Sequence, residues 1–182
     1  MILPDQLVQY YRLLRRRGIN DSHSGNGSVR DQNSLWITPT GACADTLEPW
    51  QLVRCGLTAG VCERASQDLA LHRAVYRHNP RANAVLHGHG AYAVALTLNG
   101  GDLVPVDLEG HFYFPRVPVI DVEYDAYFEV SPERVGAALK DHPVALVRGH
   151  GLYAWGTDLE QAYKWICSLE LSAKIAYLSA RS

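Results

Sequence analysis

The sequence predicts a mixed α/β chain, on three observations. Two short apolar runs, Asn83-Ala-Val-Leu-His-Gly-His-Gly90 and Pro143-Val-Ala-Leu-Val-Arg-Gly-His-Gly151, read as buried strands that end in histidine and glycine. Several amphipathic stretches with capping residues stand between and around them. Clusters of Gly, Ser, Asn and Pro punctuate the chain at the expected turns. At 182 residues the chain is read as one domain, 1–182, long enough to bury a sizeable core. No internal repeat, low-complexity segment or linker interrupts it.

The first helix is expected from Asp5 to about Arg17, with Leu7, Val8, Tyr11 and Leu14 as its apolar stripe and Gly18 as its stop. Arg15, Arg16 and Arg17 suit the negative end of its dipole. Ser22–Arg30 reads as a turn entering a strand, and Leu35–Gly41 as a short strand ending in a polar turn. These two turns could hold backbone N–H and hydroxyl donors around a phosphate, or be plain hairpin turns. Neither is a P-loop or a G-x-G-x-x-G.

Residues 46–57 are mixed, and Thr46 with Glu48 could open a helical turn. Ser66–His78 is expected as a helix capped by Ser66, with Asp68 in its first turn and Pro80 beyond its end. His72 shares a face with Asp68 and is read as bonded to a nearby backbone group. Ala91–Leu98 is helical and ends at Gly100-Gly101. Val104–Phe114 and Val117–Asp121 read as strand material. Ser131-Pro132 is expected to open a helix to about Lys140, and Thr157 or Asp158 to cap a last helix to about Leu178.

Composition narrows the function. Hydrophobic content of 47% and charged content of 20% are those of a soluble globular protein. A net charge of -2 and a pI near 6.4 give no reason to expect nucleic acid or an anionic membrane surface as partner. The four cysteines, Cys43, Cys55, Cys62 and Cys167, form no C-x-x-C pair. The amino terminus lacks a basic region followed by an apolar core, and no apolar run reaches transmembrane length. The expectation is a cytoplasmic protein with reduced cysteines.

The histidines carry the chemistry. On a strand, side chains alternate, so His87 and His89 point to one face and can share a divalent metal. His150 ends the second run in the same way. Three imidazoles with an open fourth position suit a catalytic zinc-type site.

These pieces resemble the class II aldolase/adducin family. The resemblance rests on Gly25-Asn-Gly-Ser-Val-Arg30, Ile37-Thr-Pro-Thr-Gly41, His72-x-x-x-Tyr76, His87-Gly-His89 and Arg148-Gly-His-Gly-Leu-Tyr-Ala-Trp-Gly156, in that order over nearly the whole chain. It implies a three-layer α/β/α sandwich around a mainly antiparallel sheet, and in most members a cyclic homotetramer. It implies a metal on His87, His89 and His150, zinc or another divalent ion such as Mn2+, Co2+ or Fe2+. Asn26 and the Thr40-Gly41 turn fall where the family binds phosphate, with Ser66 beside them. Asp68 falls where family aldolases place a glutamate that can ligate the metal and act as base, and Glu109 where its dehydratases place a catalytic glutamate. The aldolases have Pro-Ser-Ser where this chain has Ala65-Ser66-Gln67, and they extend into a tail carrying a tyrosine that this sequence does not show. His111, Tyr113 and Tyr127 are candidate proton donors, and Tyr153 and Trp155 are expected in the core.

The activity so implied is metal-dependent cleavage of a carbon–carbon bond in a small ketose phosphate or related hydroxy-ketone through a metal-stabilised enediolate. The alternatives are a dehydratase resembling the methylthioribulose-1-phosphate type, a 4-epimerase, and a non-catalytic adducin-like binding module.

Overall fold

The architecture, described by a computed structural model for residues 2–58 and 60–180, is a seven-stranded sheet between two helical layers. The strands are β1 (Asn26–Asp31), β2 (Ser34–Ile37), β3 (Val53–Gly56), β4 (Ala84–Gly88), β5 (Val119–Ile120), β6 (Val144–Val147) and β7 (Gly151–Gly156). Their order is β3-β2-β1-β4-β7-β6-β5, and every pairing is antiparallel except β5 with β6. The helices are α1 (Leu3–Arg16), α2 (Leu69–His78), α3 (Ala91–Thr97), α4 (Leu108–Tyr113), α5 (Tyr127–Asp141) and α6 (Leu159–Ser179). The three-layer, mainly antiparallel α/β arrangement is the one expected.

The alternation of strand residues divides the core in two. Ala84 and Leu86 of β4, with Leu152 and Ala154 of β7, pack against α1, α3 and α6. Val85 and Tyr153 face the other way, with Leu71 and Val75 of α2 and Val135 and Leu139 of α5. His87 has the parity of Val85, so β4 aims it at the α2–α5 layer. β4 and β7 hold this in register, with His87 opposite Tyr153. Leu86 is fully buried, so Leu86→Ala is expected to cost about 2–5 kcal/mol, read as a lowered urea midpoint at unchanged slope.

The α1 stripe is as expected: Leu7, Val8, Tyr11 and Leu14 are its buried residues. Asp158 caps α6, accepting from the N–H of Gln161 at 2.8 Å. Several elements differ from expectation. Residues 108–113 are helical rather than strand, because Asp107 caps them through the N–H of Gly110. Gly110 also lets α4 close on α6, where a Cβ would stand 2.2 Å from Ser172 Oγ. Of 117–121, only Val119 and Ile120 form strand.

Ser131 does not open its helix. A 3-10 turn at Tyr124–Ala126 leads straight into α5, which leaves Ser131 buried in its interior and Pro132 inside the helix. Ser66 does not cap α2 either. Asp68 occupies the N-cap, and the Ser66 hydroxyl accepts the Asp68 N–H at 3.3 Å. Within 46–57 the helical turn lies at Pro49–Gln51, and β3 follows it as an unforeseen edge strand. Cys55 and Cys62 form a disulfide, so the expectation of four reduced cysteines is corrected for this pair. Among the described residues no helix is long and apolar enough to cross a membrane.

Candidate metal centre

β4 ends with His87 buried and His89 just beyond it. The turn between β6 and β7 delivers His150, with Gly149 at φ +70° making the bend that brings it back toward the sheet. The three imidazoles converge, with one ring nitrogen of each lying within 4.8 Å of the others. His87 Nε2 and His89 Nε2 are 2.9 Å apart. His87 Nδ1 donates to the carbonyl of Leu152 at 3.0 Å. That bond fixes the neutral tautomer and leaves the Nε2 lone pair facing its neighbours.

The backbone around the pair is clamped. Asn20, buried behind it, accepts the N–H of His89 on Oδ1 at 2.9 Å and directs its amide at the His87 carbonyl, 3.5 Å away. Gly151 lies so close that a Cβ there would stand 2.8 Å from His89 and 2.9 Å from His87. Glu170 of α6 accepts the N–H groups of Tyr92 and Ala93, fixing the start of α3 just after His89.

Burial is the first cause that lowers the pKa of all three histidines, and His87 lies well below the ordinary range. Neutral imidazole is the form that binds metal. Three neutral nitrogen donors at one focus, one already oriented through its second nitrogen, fit a divalent transition ion with a fourth position open.

Asp68 stands beside the histidines at the start of α2. Its Oδ2 accepts from Asn26 Nδ2 and from the Tyr153 hydroxyl, each at 2.8 Å. Its Oδ1 accepts from the Tyr127 hydroxyl at 3.2 Å. Burial alone would raise this carboxyl, but the His87 imidazole and the Asn26 and Tyr153 donors outweigh it, and the group lies below the ordinary carboxylate range. Tyr127 also lies 3.2 Å from His150 Nε2, and burial followed by the Asp68 charge keeps it a protonated phenol.

His72 does not bond a backbone group. Fully buried, it reaches Asn26 Oδ1 through Nε2 at 2.7 Å and Ser28 Oγ through Nδ1 at 2.6 Å. Burial lowers its pKa to about 4, against about 6.5 when unfolded. Between these values the unfolded chain holds a proton that the native chain does not. Stability should therefore fall as pH drops from about 6.5 toward 4, by up to about 1.4 kcal/mol per pH unit, and be unaffected by this group above that window. Melting temperature against pH in chelated protein should show a shallower acid limb in His72→Gln than in wild type.

One cavity of about 180 Å³ gathers Asn26, Thr40, Gly41, Ser66, Asp68, Tyr127 and the three histidines. Among the described residues no Arg or Lys lines it, so an anion there would be met by hydroxyl and backbone donors. The Thr40 hydroxyl is spent on the Ala65 carbonyl at 3.0 Å, whereas Ser66 Oγ accepts from Asp68 and keeps its own proton to donate. Glu109 is not brought here: it is exposed on α4 and outside the cavity lining. His111 and Tyr113 lie on the same helix, with the Tyr113 ring against Trp165.

Sequence reasoning missed the polar role of Tyr153, which is in the core as expected yet delivers its hydroxyl to Asp68. Strand alternation from Gly151 would have placed it on the face of His87. Nothing local in sequence marks Asn20.

The family described as Class II Aldolase and Adducin N-terminal domain matches residues 5–177. The chain is 35% identical to a methylthioribulose-1-phosphate dehydratase of Acidiphilium cryptum, over 91% of this chain and 85% of that one. It is 25% identical to an L-fuculose phosphate aldolase of Methanocaldococcus jannaschii, over 96% and 95%. The crystal structure of L-fuculose-1-phosphate aldolase from Thermus thermophilus superposes with a TM-score of 0.91 at 34% identity, covering 98% of this chain and 94% of that one. With the family model matching residues 5–177, a relative at 35% identity and a fold that superposes at a TM-score of 0.91, the chain belongs to the class II aldolase and adducin family.

Proposed function

We propose that this protein is a metal-dependent lyase that cleaves a carbon–carbon bond in a small ketose phosphate or a related hydroxy-ketone. The observation that supports this most is the placing of an ionised, buried Asp68 in one cavity with three neutral histidines. His87, His89 and His150 would hold a divalent ion, zinc or a neighbour of it, which when bound supplies Lewis acidity toward a substrate carbonyl and adjacent hydroxyl. Ser66 and the Thr40-Gly41 turn would meet the phosphate at the other end of the cavity.

Asp68 then acts as the base. Its Oδ1 takes the proton of the substrate hydroxyl, the bond from that carbinol carbon toward the carbonyl side breaks, and the carbinol carbon becomes an aldehyde. The bond's electron pair passes into the carbonyl to give an enediolate. Tyr127, a phenol on the same Oδ1, is placed to protonate the carbon and to be reprotonated through Asp68.

A second reading, a dehydratase on the same substrate class, is favoured by the 35% identity to the Acidiphilium cryptum enzyme. There the base would remove a proton next to the carbonyl, and water would leave with the carbon skeleton intact. Glu109 would take part only if another copy of the chain carried it to the cavity. Val106, Leu108 and Phe112 around it are 64%, 89% and 80% exposed, which suits burial in the homotetramer we also propose.

Incubation of metal-loaded protein with L-fuculose 1-phosphate, methylthioribulose 1-phosphate and related sugar phosphates tests the reading. Triose-sized products support the aldolase, a dehydrated product of unchanged carbon count supports the dehydratase, and no turnover of any counts against both. Glu109→Gln should lower a dehydratase's kcat by about 10²–10⁴-fold and leave an aldolase within a few-fold of wild type.

A further inference from the structure

We propose that Tyr76, Ser28, His72 and Asn26 form a one-way hydrogen-bond chain that positions Asp68 and reserves its Oδ1 as the proton-accepting oxygen. This rests on Asp68 being the base of the proposed lyase. Asn26 lines the cavity, the other three residues lie outside its lining, and all four are buried. The links are short and unbranched: Tyr76 hydroxyl to Ser28 Oγ 2.7 Å, Ser28 Oγ to His72 Nδ1 2.6 Å, His72 Nε2 to Asn26 Oδ1 2.7 Å, Asn26 Nδ2 to Asp68 Oδ2 2.8 Å.

Donor and acceptor rules fix the direction from the Asp68 end. An ionised carboxylate only accepts, so the Asn26 amide must present its NH2 to Asp68 and its oxygen to His72. His72 then donates from Nε2, and as a neutral ring it has no second proton, so Nδ1 must accept from the Ser28 hydroxyl. Ser28, having given its one proton, accepts from the Tyr76 phenol. The opposite direction would set the Asn26 oxygen against the Asp68 carboxylate inside a buried site, which carries a heavy desolvation and repulsion penalty.

The consequence falls on Asp68. With Asn26 and Tyr153 both donating, Oδ2 is occupied at 2.8 Å on two sides. Among the described residues Oδ1 meets the Tyr127 hydroxyl alone, at 3.2 Å, and Asp68 lines the cavity. A proton taken from substrate is therefore received on Oδ1, the oxygen from which Tyr127 exchanges it. His72 and its partners are positioning residues: they touch Asp68 only through Asn26.

The test is a long-range ¹H–¹⁵N spectrum of metal-loaded protein labelled at histidine, with the His72 signal assigned by its loss in His72→Gln. A neutral ring carrying its proton on Nε2 at pH 7 is expected. A proton on Nδ1, or an imidazolium, overturns the chain whatever the enzyme's activity. The positioning role is read with whichever of L-fuculose 1-phosphate and methylthioribulose 1-phosphate is turned over. His72→Phe should lower kcat by about 10–100-fold, with KM within about twofold and metal content unchanged, and His72→Gln, which can still donate to Asn26, should recover most of the loss. Wild-type kcat in His72→Phe, or no difference between Phe and Gln, overturns it. Should His72→Phe not fold, Ser28→Ala and Tyr76→Phe remove the upstream donors and must each lower kcat. Turnover of neither sugar phosphate, with the Nε2 proton in place, counts against the lyase reading and leaves the chain standing.

Discussion

Asp68→Asn is expected to retain the metal and the fold while losing about 10²–10⁴-fold in kcat, the usual contribution of a positioned general base. The substitution keeps the size of the side chain and removes its charge. An amide can still accept from Asn26 or Tyr153 on its oxygen, but its NH2 then faces a donor on the other side. The hydrogen-bond set around Oδ1 and Oδ2 contains Asn26, Tyr153 and Tyr127, all donors to a carboxylate. A neutral group cannot reward all three, so some loss of stability accompanies the loss of rate. Steady-state kinetics beside elemental analysis separates these effects. Wild-type turnover in Asp68→Asn would remove Asp68 from the mechanism.

His150→Ala is expected to abolish turnover by removing one of three ligands, and to remove the response to chelator. A ligand that binds only the native state raises its stability by an amount set by concentration over dissociation constant, about 2.7 kcal/mol at a hundredfold excess. Chelation should thus lower the melting temperature of the wild type and leave that of His150→Ala unmoved. His150 sits in a turn rather than within β6 or β7 and is only half-buried, so its truncation should cost little else. An equal chelator effect in both proteins would place the metal elsewhere.

Much of this was legible in the sequence because the physics was local. Two apolar runs ending in His-Gly predicted β4 and β6 with their histidines, since strand alternation and burial follow from residue order alone. The α1 stripe was legible for the same reason, and the cap of α6 to within the choice of Thr157 or Asp158, of which the structure takes Asp158. Where reading failed, a distant partner decided the outcome. Residues 108–113 read as strand material in isolation, yet the Asp107 cap and the close seat of Gly110 on α6 make them α4. Ser131-Pro132 is a good helix start in isolation, but the turn at 124–126 feeds a helix that begins at Tyr127. His72 has nothing in its neighbourhood of sequence to show that Asn26 and Ser28, more than forty residues earlier, complete its bonds. The family resemblance supplied Asp68 and Glu109, but only the folded chain sets Asp68 into the cavity and Glu109 outside its lining.

The measurement that bears most directly on the three-histidine centre is metal content by elemental analysis in the wild type, His87→Ala and His150→Ala, each purified alike and reconstituted with zinc or manganese. The arrangement of the three imidazoles predicts about one divalent ion per subunit in the wild type and a near-complete loss in both variants. No bound metal in reconstituted wild type, or full occupancy in either variant, would contradict it, and the chemistry proposed around Asp68 would have to be given up with it.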